Sequence, residues 1–156
     1  MSTAGPRGGA AAHGRITVDV PRDAAALAVG ADEVAAAIAA ACARRGDEVQ
    51  IVRNGSRGLF WLEPLVEVAT PAGRIAYGPV AEEDVPGLLE AGMLAGRPHP
   101  LCQGPVEAIP YLARQERLTF ARMGVTDPLS LADYEAHEGW AGLERALQLD
   151  GEAIVR

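Results

Sequence analysis

Over residues 15–20 apolar and polar side chains alternate, with Ile16, Val18 and Val20 on one side. That period of two predicts a strand with one buried face, ended by Pro21. From Asp32 to about Ala43 the period changes. Val34, Ile38 and Cys42 recur every fourth position, with Ala35, Ala39 and Ala41 beside them, the pattern of a helix with one apolar stripe. Asp32 is the expected cap. Arg44 and Arg45 suit the negative end of the helix dipole, and Gly46 suits the position just past it. Alternation returns over 48–53, where Val49 and Ile51 oppose Gln50, and predicts a second strand. Residues 54–58, Asn-Gly-Ser-Arg-Gly, read as a turn-rich loop. Two further strands, 65–69 and 74–78, flank Thr70-Pro71-Ala72-Gly73, a hairpin signature. Residues 82–91 read as a second helix with acids in its first turn, although Pro86 sits late for a helix start. The order β, α, β, β, β-or-loop, α predicts a small α/β sheet flanked by helices.

The texture then changes. Gly96, Pro98, Pro100, Gly104, Pro105 and Pro110 predict a stiff, irregular linker over 92–110. Residues 111–156 are helical in pattern. Ser130 with Asp133 resembles a capping box ahead of Tyr134, residues 140–147 suggest another helix, and Asp150 can cap a third. Residues 1–14, rich in Gly, Ala, Ser and Thr without an apolar stretch, read as a disordered leader rather than a signal peptide. The expected organisation is leader 1–14, α/β domain 15–91, linker 92–110, and a mainly helical segment 111–156.

Composition narrows the functions. A chain of 156 residues can bury one core. Its 49% hydrophobic content overstates that core, since much of it is alanine. The net charge of −7 makes nucleic acid and anionic membranes poor partners. No apolar run approaches the ~20 residues needed to span a bilayer, so no membrane insertion is expected and a cytoplasmic location follows by default. The cysteines, Cys42 and Cys102, are far apart, and His13, His99 and His137 are scattered. No metal site is expected from that set. Cys42 falls on an apolar helix face, where a thiol behaves as a small hydrophobe. Thioredoxin-type redox chemistry needs a Cys-x-x-Cys, and the chain has none.

Two stretches carry a resemblance. After the first strand comes Pro21-Arg22-Asp23-Ala24-Ala25-Ala26. After the second comes Ser56-Arg57-Gly58-Leu59-Phe60, then Pro64-Leu65-Val66-Glu67-Val68. This order resembles the thioredoxin-like ferredoxin domain that accompanies the flavoprotein of respiratory complex I. There a Cys-x4-Cys pair follows the first strand and a Cys-x-Gly-x-Cys pair the second. The matching positions here are Pro21, Ala26, Ser56 and Phe60, none of which supplies a thiolate. The resemblance implies a thioredoxin-like scaffold without its iron–sulfur cluster. Further on, Gln115-Glu116-Arg117, Gly124, Asp127-Pro128, Ser130-Leu131-x-x-Tyr134, Gly139-Trp140-x-Gly-Leu143 and Arg145-Ala146-Leu147 look like the entry segment of the complex I NADH-binding flavoprotein family. With a cluster-free domain ahead of that entry, the chain looks most like the N-terminal part of a soluble NAD-dependent formate dehydrogenase beta subunit. FMN, NAD and iron–sulfur clusters are then implied for the full-length subunit or complex, with other formate dehydrogenase subunits as partners. The family's glycine-rich phosphate loop is missing from these residues. On that reading 111–156 is an incomplete start of the flavoprotein domain, and this chain has no cofactor, metal or catalytic residue of its own.

The residues singled out have plain roles beside functional ones. Ser56-Arg57-Gly58 is read as a tight turn rather than an anion site. Phe60 and Trp61 adjoin, so in a strand they would face opposite ways; one is expected in the core and the other exposed. The candidate interface residues are Arg57, Trp61, Arg117, Phe120 and Arg122. Glu82-Glu83-Asp84 is read as a dipole complement, not a catalytic cluster. Asp127-Pro128 is read as a turn, and His137 lacks a partner for base chemistry. The function expected is non-catalytic: docking and spacing within an electron-input subunit. The rival is a free-standing thioredoxin-like adaptor or assembly protein without redox activity.

Overall fold

The computed structural model describes residues 15–155; the leader 1–14, with His13, lies outside them. In chain order the elements are β1 (Ile16–Asp19), α1 (Ala24–Leu27), α2 (Ala31–Arg45), β2 (Val49–Val52), β3 (Val66–Thr70), β4 (Gly73–Tyr77) and α3 (Val85–Glu90). These are followed by β5 (Cys102–Pro105), α4 (Pro110–Ala113), α5 (Leu131–Ala136), α6 (Ala141–Ala146) and α7 (Gly151–Val155). The strands form one sheet in the order β2-β1-β3-β4-β5. β1 and β2 run parallel through the α2 crossover, and β3, β4 and β5 follow antiparallel. The βαβ unit followed by a ββα unit is the α/β arrangement expected from the sequence, and it is that of the thioredoxin-like fold.

The main core lies between one sheet face and α2 with α3. Val18 and Val20 of the β1 side, Val66 and Val68 of β3 and Tyr77 of β4 meet Val34, Ile38 and Cys42 of α2 and Leu88 of α3. The four-residue period of α2 therefore marks its buried stripe, as the sequence predicts. Gly46 closes α2 at φ 78, and its N–H bonds back to the Ala43 and Cys42 carbonyls, the conformation for which glycine is suited. Asp32 does not cap α2. It lies in the first turn and pairs at 2.7 Å with Arg53, while Gly30 occupies the cap. Pro86 is not late either: residues 82–84 form a separate 3-10 turn, so the proline falls at the start of α3, where its missing N–H costs nothing. α1 has no counterpart in the sequence reading. Asp23 caps it by accepting from Ala25 and Ala26 N–H.

The 92–110 stretch is not a linker between bodies. Met93 sits in the main core, and β5 pairs with β4 as the fifth strand. Val106, Ile109 and Leu112 form a second cluster with Leu59, Leu62, Leu65 and Ala76. Proline and glycine content suggests a spacer; burial of Met93, Val106 and Ile109 overrides it, and Pro105 is tolerated because β5 is an edge strand.

Residues 115–128 lie against the sheet body by hydrogen bonds, and the three short helices α5, α6 and α7 follow. Ser130 caps α5 by accepting from Asp133 N–H, and Asp150 accepts from Ala153 N–H at α7. The expected capping box is half formed, because the Asp133 carboxylate takes the Asp127 N–H instead. That bond, with Leu129 N–H to Asp127 Oδ1, makes the Asp127-Pro128 turn. The apolar side chains here stay largely uncovered: Leu118 is 82% exposed and Leu147 78%, and Phe120, Leu129, Leu131 and Leu143 are also exposed. Among the described residues, no helix is long and apolar enough to cross a membrane.

Candidate functional site: a buried ion network on the second sheet face

Strand alternation places Val18, Val66, Val68 and Tyr77 toward α2, so their neighbours point the other way. On that second face Asp19, Glu67 and Ala76 stand in register across β1, β3 and β4, with Arg74 two residues from Ala76. Asp19 and Glu67 are completely or almost completely buried, contrary to the expectation of a β1 with one covered face. The loop after β2 covers this face and delivers Arg57. Its guanidinium makes a forked pair with Glu67, Nε to Oε1 at 2.5 Å and Nη2 to Oε2 at 2.9 Å. Arg74 Nη1 lies 3.3 Å from Glu67 and 3.4 Å from Asp19. Arg57 is buried with the two carboxyl groups while Arg74 is half-buried at their edge, and a forked arginine pair is the geometry that offsets desolvation.

The Asp19 carboxyl is the exception in this network. Neither of its oxygens accepts a hydrogen bond from the described residues. Burial pushes its pKa from 3.8 to about 7; Arg74 draws it down, Glu67 pushes it up further, and Arg57 and Asp133 exert smaller opposing pulls. Desolvation outweighs the Arg74 cation because that cation is shared with Glu67.

The same network fastens the segment 115–128. Asn54 Nδ2 and Arg74 Nη1 both donate to the Gly124 carbonyl, at 2.8 and 3.0 Å, and Arg117 Nη2 donates to the Arg57 carbonyl at 2.6 Å. Gly124 has φ 77, and a Cβ there would collide with the Arg57 side chain, so glycine is required by both conformation and space. Beside this clasp lies an open groove of about 720 Å3 lined by Phe60, Tyr111, Leu118, Phe120, Met123 and the two arginines Arg57 and Arg117.

The four positions matched to cluster ligands are only partly brought together. Pro21 and Ser56 line one narrow gap, and Arg22 N–H to the Asn54 carbonyl, at 2.9 Å, ties their loops. Ala26 is buried in the main core on the α2 side, and Phe60 is on the surface. Ser56 Oγ donates to Glu63 at 2.6 Å and accepts from Gly58 N–H, the tight turn expected from the sequence. Burial raises the Glu63 pKa, against the opposing bonds from Ser56 and the Leu65 N–H. A proline, an alanine, a committed hydroxyl and a phenyl ring do not fit an iron–sulfur cluster, which needs thiolates. The free thiols are elsewhere, Cys42 within the main core and Cys102 on β5. Among the described residues, no group of three or more His, Cys, Asp or Glu is placed to hold a metal.

No family model matches the chain, and no curated protein matches it. Solved structures share a general likeness. The wild-type thioredoxin-like [2Fe-2S] ferredoxin from Aquifex aeolicus aligns over 57% of this chain and 96% of its own, with 24% identity and a TM-score of 0.47. The Cys55Ser variant of that ferredoxin aligns over 56% of this chain and 96% of its own, with 24% identity and a TM-score of 0.45. At that level the likeness concerns the backbone arrangement alone.

The candidate interface residues fall into different environments. Arg57 is buried in the network rather than exposed, because Glu67 and the Gly124 backbone enclose it. Arg117 is half-buried and spends one N–H on the Arg57 carbonyl. Phe120 and Arg122 are exposed. Phe60 and Trp61 are both exposed, 66% and 59%, correcting the expectation that one enters the core. They sit in a 3-10 turn, not a strand, and Leu62 is the residue that turn buries. Trp61 meets Tyr111 edge to face at 5.2 Å. His137 contacts Asp133 at 3.2 Å, an acid partner not expected from the sequence, and the pair lies on one half-buried turn. The acids 82–84 cap a turn, with Asp84 accepting from Ala81 N–H.

The ion network has only a faint signal in the sequence: charged residues at the polar positions of alternating strands (Asp19, Glu67, Arg74), a pattern shared with any solvent-facing strand surface.

Proposed function

We propose that this chain is a non-catalytic docking and structural region of an electron-transfer subunit, of the diaphorase beta-subunit type found in NAD-dependent formate dehydrogenases. One observation carries the reading. The loop that would present cluster ligands is committed to other work: Ser56 to Glu63, and Arg57 to Glu67 and the clasp on residues 115–128. A scaffold whose ligand loop is consolidated by internal ion pairs holds neighbouring segments in place; it does not carry electrons. The uncovered apolar side chains Leu118, Phe120 and Met123, gathered with Phe60 and Tyr111 along one groove, support the same reading, since grouped exposed apolar residues suit contact with another protein body. The partner surface would be the flavoprotein region that binds FMN and NAD in the full subunit. Electrons would pass through clusters and flavin there, and the present residues would set spacing and orientation.

The test is affinity isolation of the tagged chain from its native cells, with identification of what co-purifies and an assay for formate-dependent NAD reduction. Formate dehydrogenase subunits in stoichiometric amount, with that activity, are the expected result. Isolation with client proteins and no oxidoreductase subunit would instead mark an adaptor or assembly protein.

A further inference from the structure

Residues 115–128 lie on the sheet without packing into it. Gly124 is the one buried residue among them, and no apolar side chain of the segment enters either core. Hydrogen bonds to backbone carbonyls do the holding. Asn54 Nδ2 and Arg74 Nη1 donate to the Gly124 carbonyl at 2.8 and 3.0 Å, and Arg74 Nη2 to the Val125 carbonyl at 3.4 Å. Arg117 Nη2 donates to the Arg57 carbonyl at 2.6 Å. A segment fastened by a few polar bonds, with little apolar area beneath it, opens more readily than the sheet it covers.

Arg74 is the member of this clasp with competing demands. Around its Nη1 stand the Gly124 carbonyl at 3.0 Å, Glu67 Oε2 at 3.3 Å and Asp19 Oδ2 at 3.4 Å. That nitrogen carries only a pair of hydrogens. They go to Gly124 and Glu67, and Asp19 is left without a bond although it is fully buried. Such a division suits a neutral Asp19. An ionised Asp19 is a stronger acceptor than a carbonyl, so the Gly124 carbonyl is the partner that Arg74 would give up. The charged groups facing Asp19 are Arg74 from β4, Glu67 from β3, Arg57 from the loop after β2 and Asp133 from α5. Arg57 is spent on Glu67, and Glu67 and Asp133 are acids, which leaves Arg74 to answer a new negative charge.

We infer that residues 115–128 are a strap that stays seated while Asp19 holds its proton and loosens when that proton leaves to solvent, because Arg74 then turns from the Gly124 carbonyl to the Asp19 carboxylate. Burial pushes the Asp19 pKa up to about 7. Lifting the strap lets water reach the carboxyl and lowers that pKa toward its ordinary range, so opening releases the proton. Opening is therefore favoured as pH rises toward about 7 and levels off above it. The strap carries Leu118, Phe120 and Met123, one wall of the apolar groove, so its seating sets the shape of that surface. Nothing in this device depends on the proposed docking role, and no partner enters the test.

Hydrogen exchange read by mass spectrometry on the full chain, with times corrected for the intrinsic effect of pH, follows the peptide covering residues 118–128. Its protection is expected to fall about tenfold between roughly pH 5.5 and 7.5. Dilute urea is expected to leave that exchange unchanged, as local rather than global opening requires. In Asp19→Asn, which cannot ionise, protection is expected to stay flat across the same range. Arg74→Gln, at a half-buried position, is expected to bring the protection at low pH down to the level that the wild type reaches at high pH. Glu63→Gln and His137→Gln, which change an acid raised by burial and the ring beside Asp133, are expected to keep the wild-type profile. A flat wild-type profile would overturn the inference. So would a fall that survives Asp19→Asn, one that Glu63→Gln or His137→Gln abolishes, or a strap that Arg74→Gln leaves fully protected.

Discussion

Asp19 offers the sharpest test of the ion network. Its carboxyl is fully buried and accepts no hydrogen bond among the described residues, and its pKa rises from 3.8 to about 7. Between those two values the folded chain holds a proton that the unfolded chain has released. The stability contributed by this group is therefore fully present below about pH 4 and is lost as pH rises through about 7. At 1.36 kcal/mol per pKa unit the loss is roughly 4 kcal/mol when complete, a large share of the stability of a domain this size. Asp19→Asn keeps the shape and removes the titration. Any fixed cost of the amide beside Arg74 is the same at every pH, so the diagnostic quantity is the change with pH. The stability of Asp19→Asn relative to wild type should climb by up to about 4 kcal/mol between pH 4 and pH 8. Urea denaturation followed by circular dichroism at four or five pH values measures it. A wild-type-to-variant difference that stays constant across that range would refute the account and would mean that Asp19 is ionised and well paired in the fold.

Other outcomes follow from the same geometry. Ile38→Ala, in the centre of the α2 stripe, should cost about 2–5 kcal/mol in urea unfolding; an unchanged midpoint would place that face in water. Glu67→Ala should cost about 3–5 kcal/mol, because it leaves Arg57 buried without its forked partner, and the same measurement reads it. Gly124→Ala, at φ 77 against Arg57, should release residues 115–128 from the sheet. Faster amide exchange confined to that segment is the expected sign, and unchanged protection there would show that the clasp does not depend on glycine. Anaerobic treatment with iron and sulfide should leave the chain colourless, since Pro21, Ala26, Ser56 and Phe60 occupy the positions matched to cluster ligands; stoichiometric iron with visible absorbance would contradict it.

Local chemistry was legible in the chain itself. The stripe Val34, Ile38, Cys42, the glycine closing α2, the hairpin around Pro71-Ala72 and the turn at Ser56-Gly58 all depend on residues within a few positions of one another. Hydrophobic period and backbone freedom specify such features before any tertiary contact forms. The absence of thiols at Pro21, Ala26, Ser56 and Phe60 is likewise a matter of identity alone. What the tertiary structure decided is which polar residues are polar because they face water. Asp19, Glu67 and Arg74 occupy the outward half of an alternating pattern, and sequence cannot tell a wet face from a covered one. Only strand register and the two chain segments that fold over them, the loop after β2 and residues 115–128, turn them into a buried network. The same holds for residues 92–110, whose proline and glycine suggest a spacer until pairing with β4 makes part of them the fifth strand. Register and coverage are set by contacts between distant residues, and no local period records them.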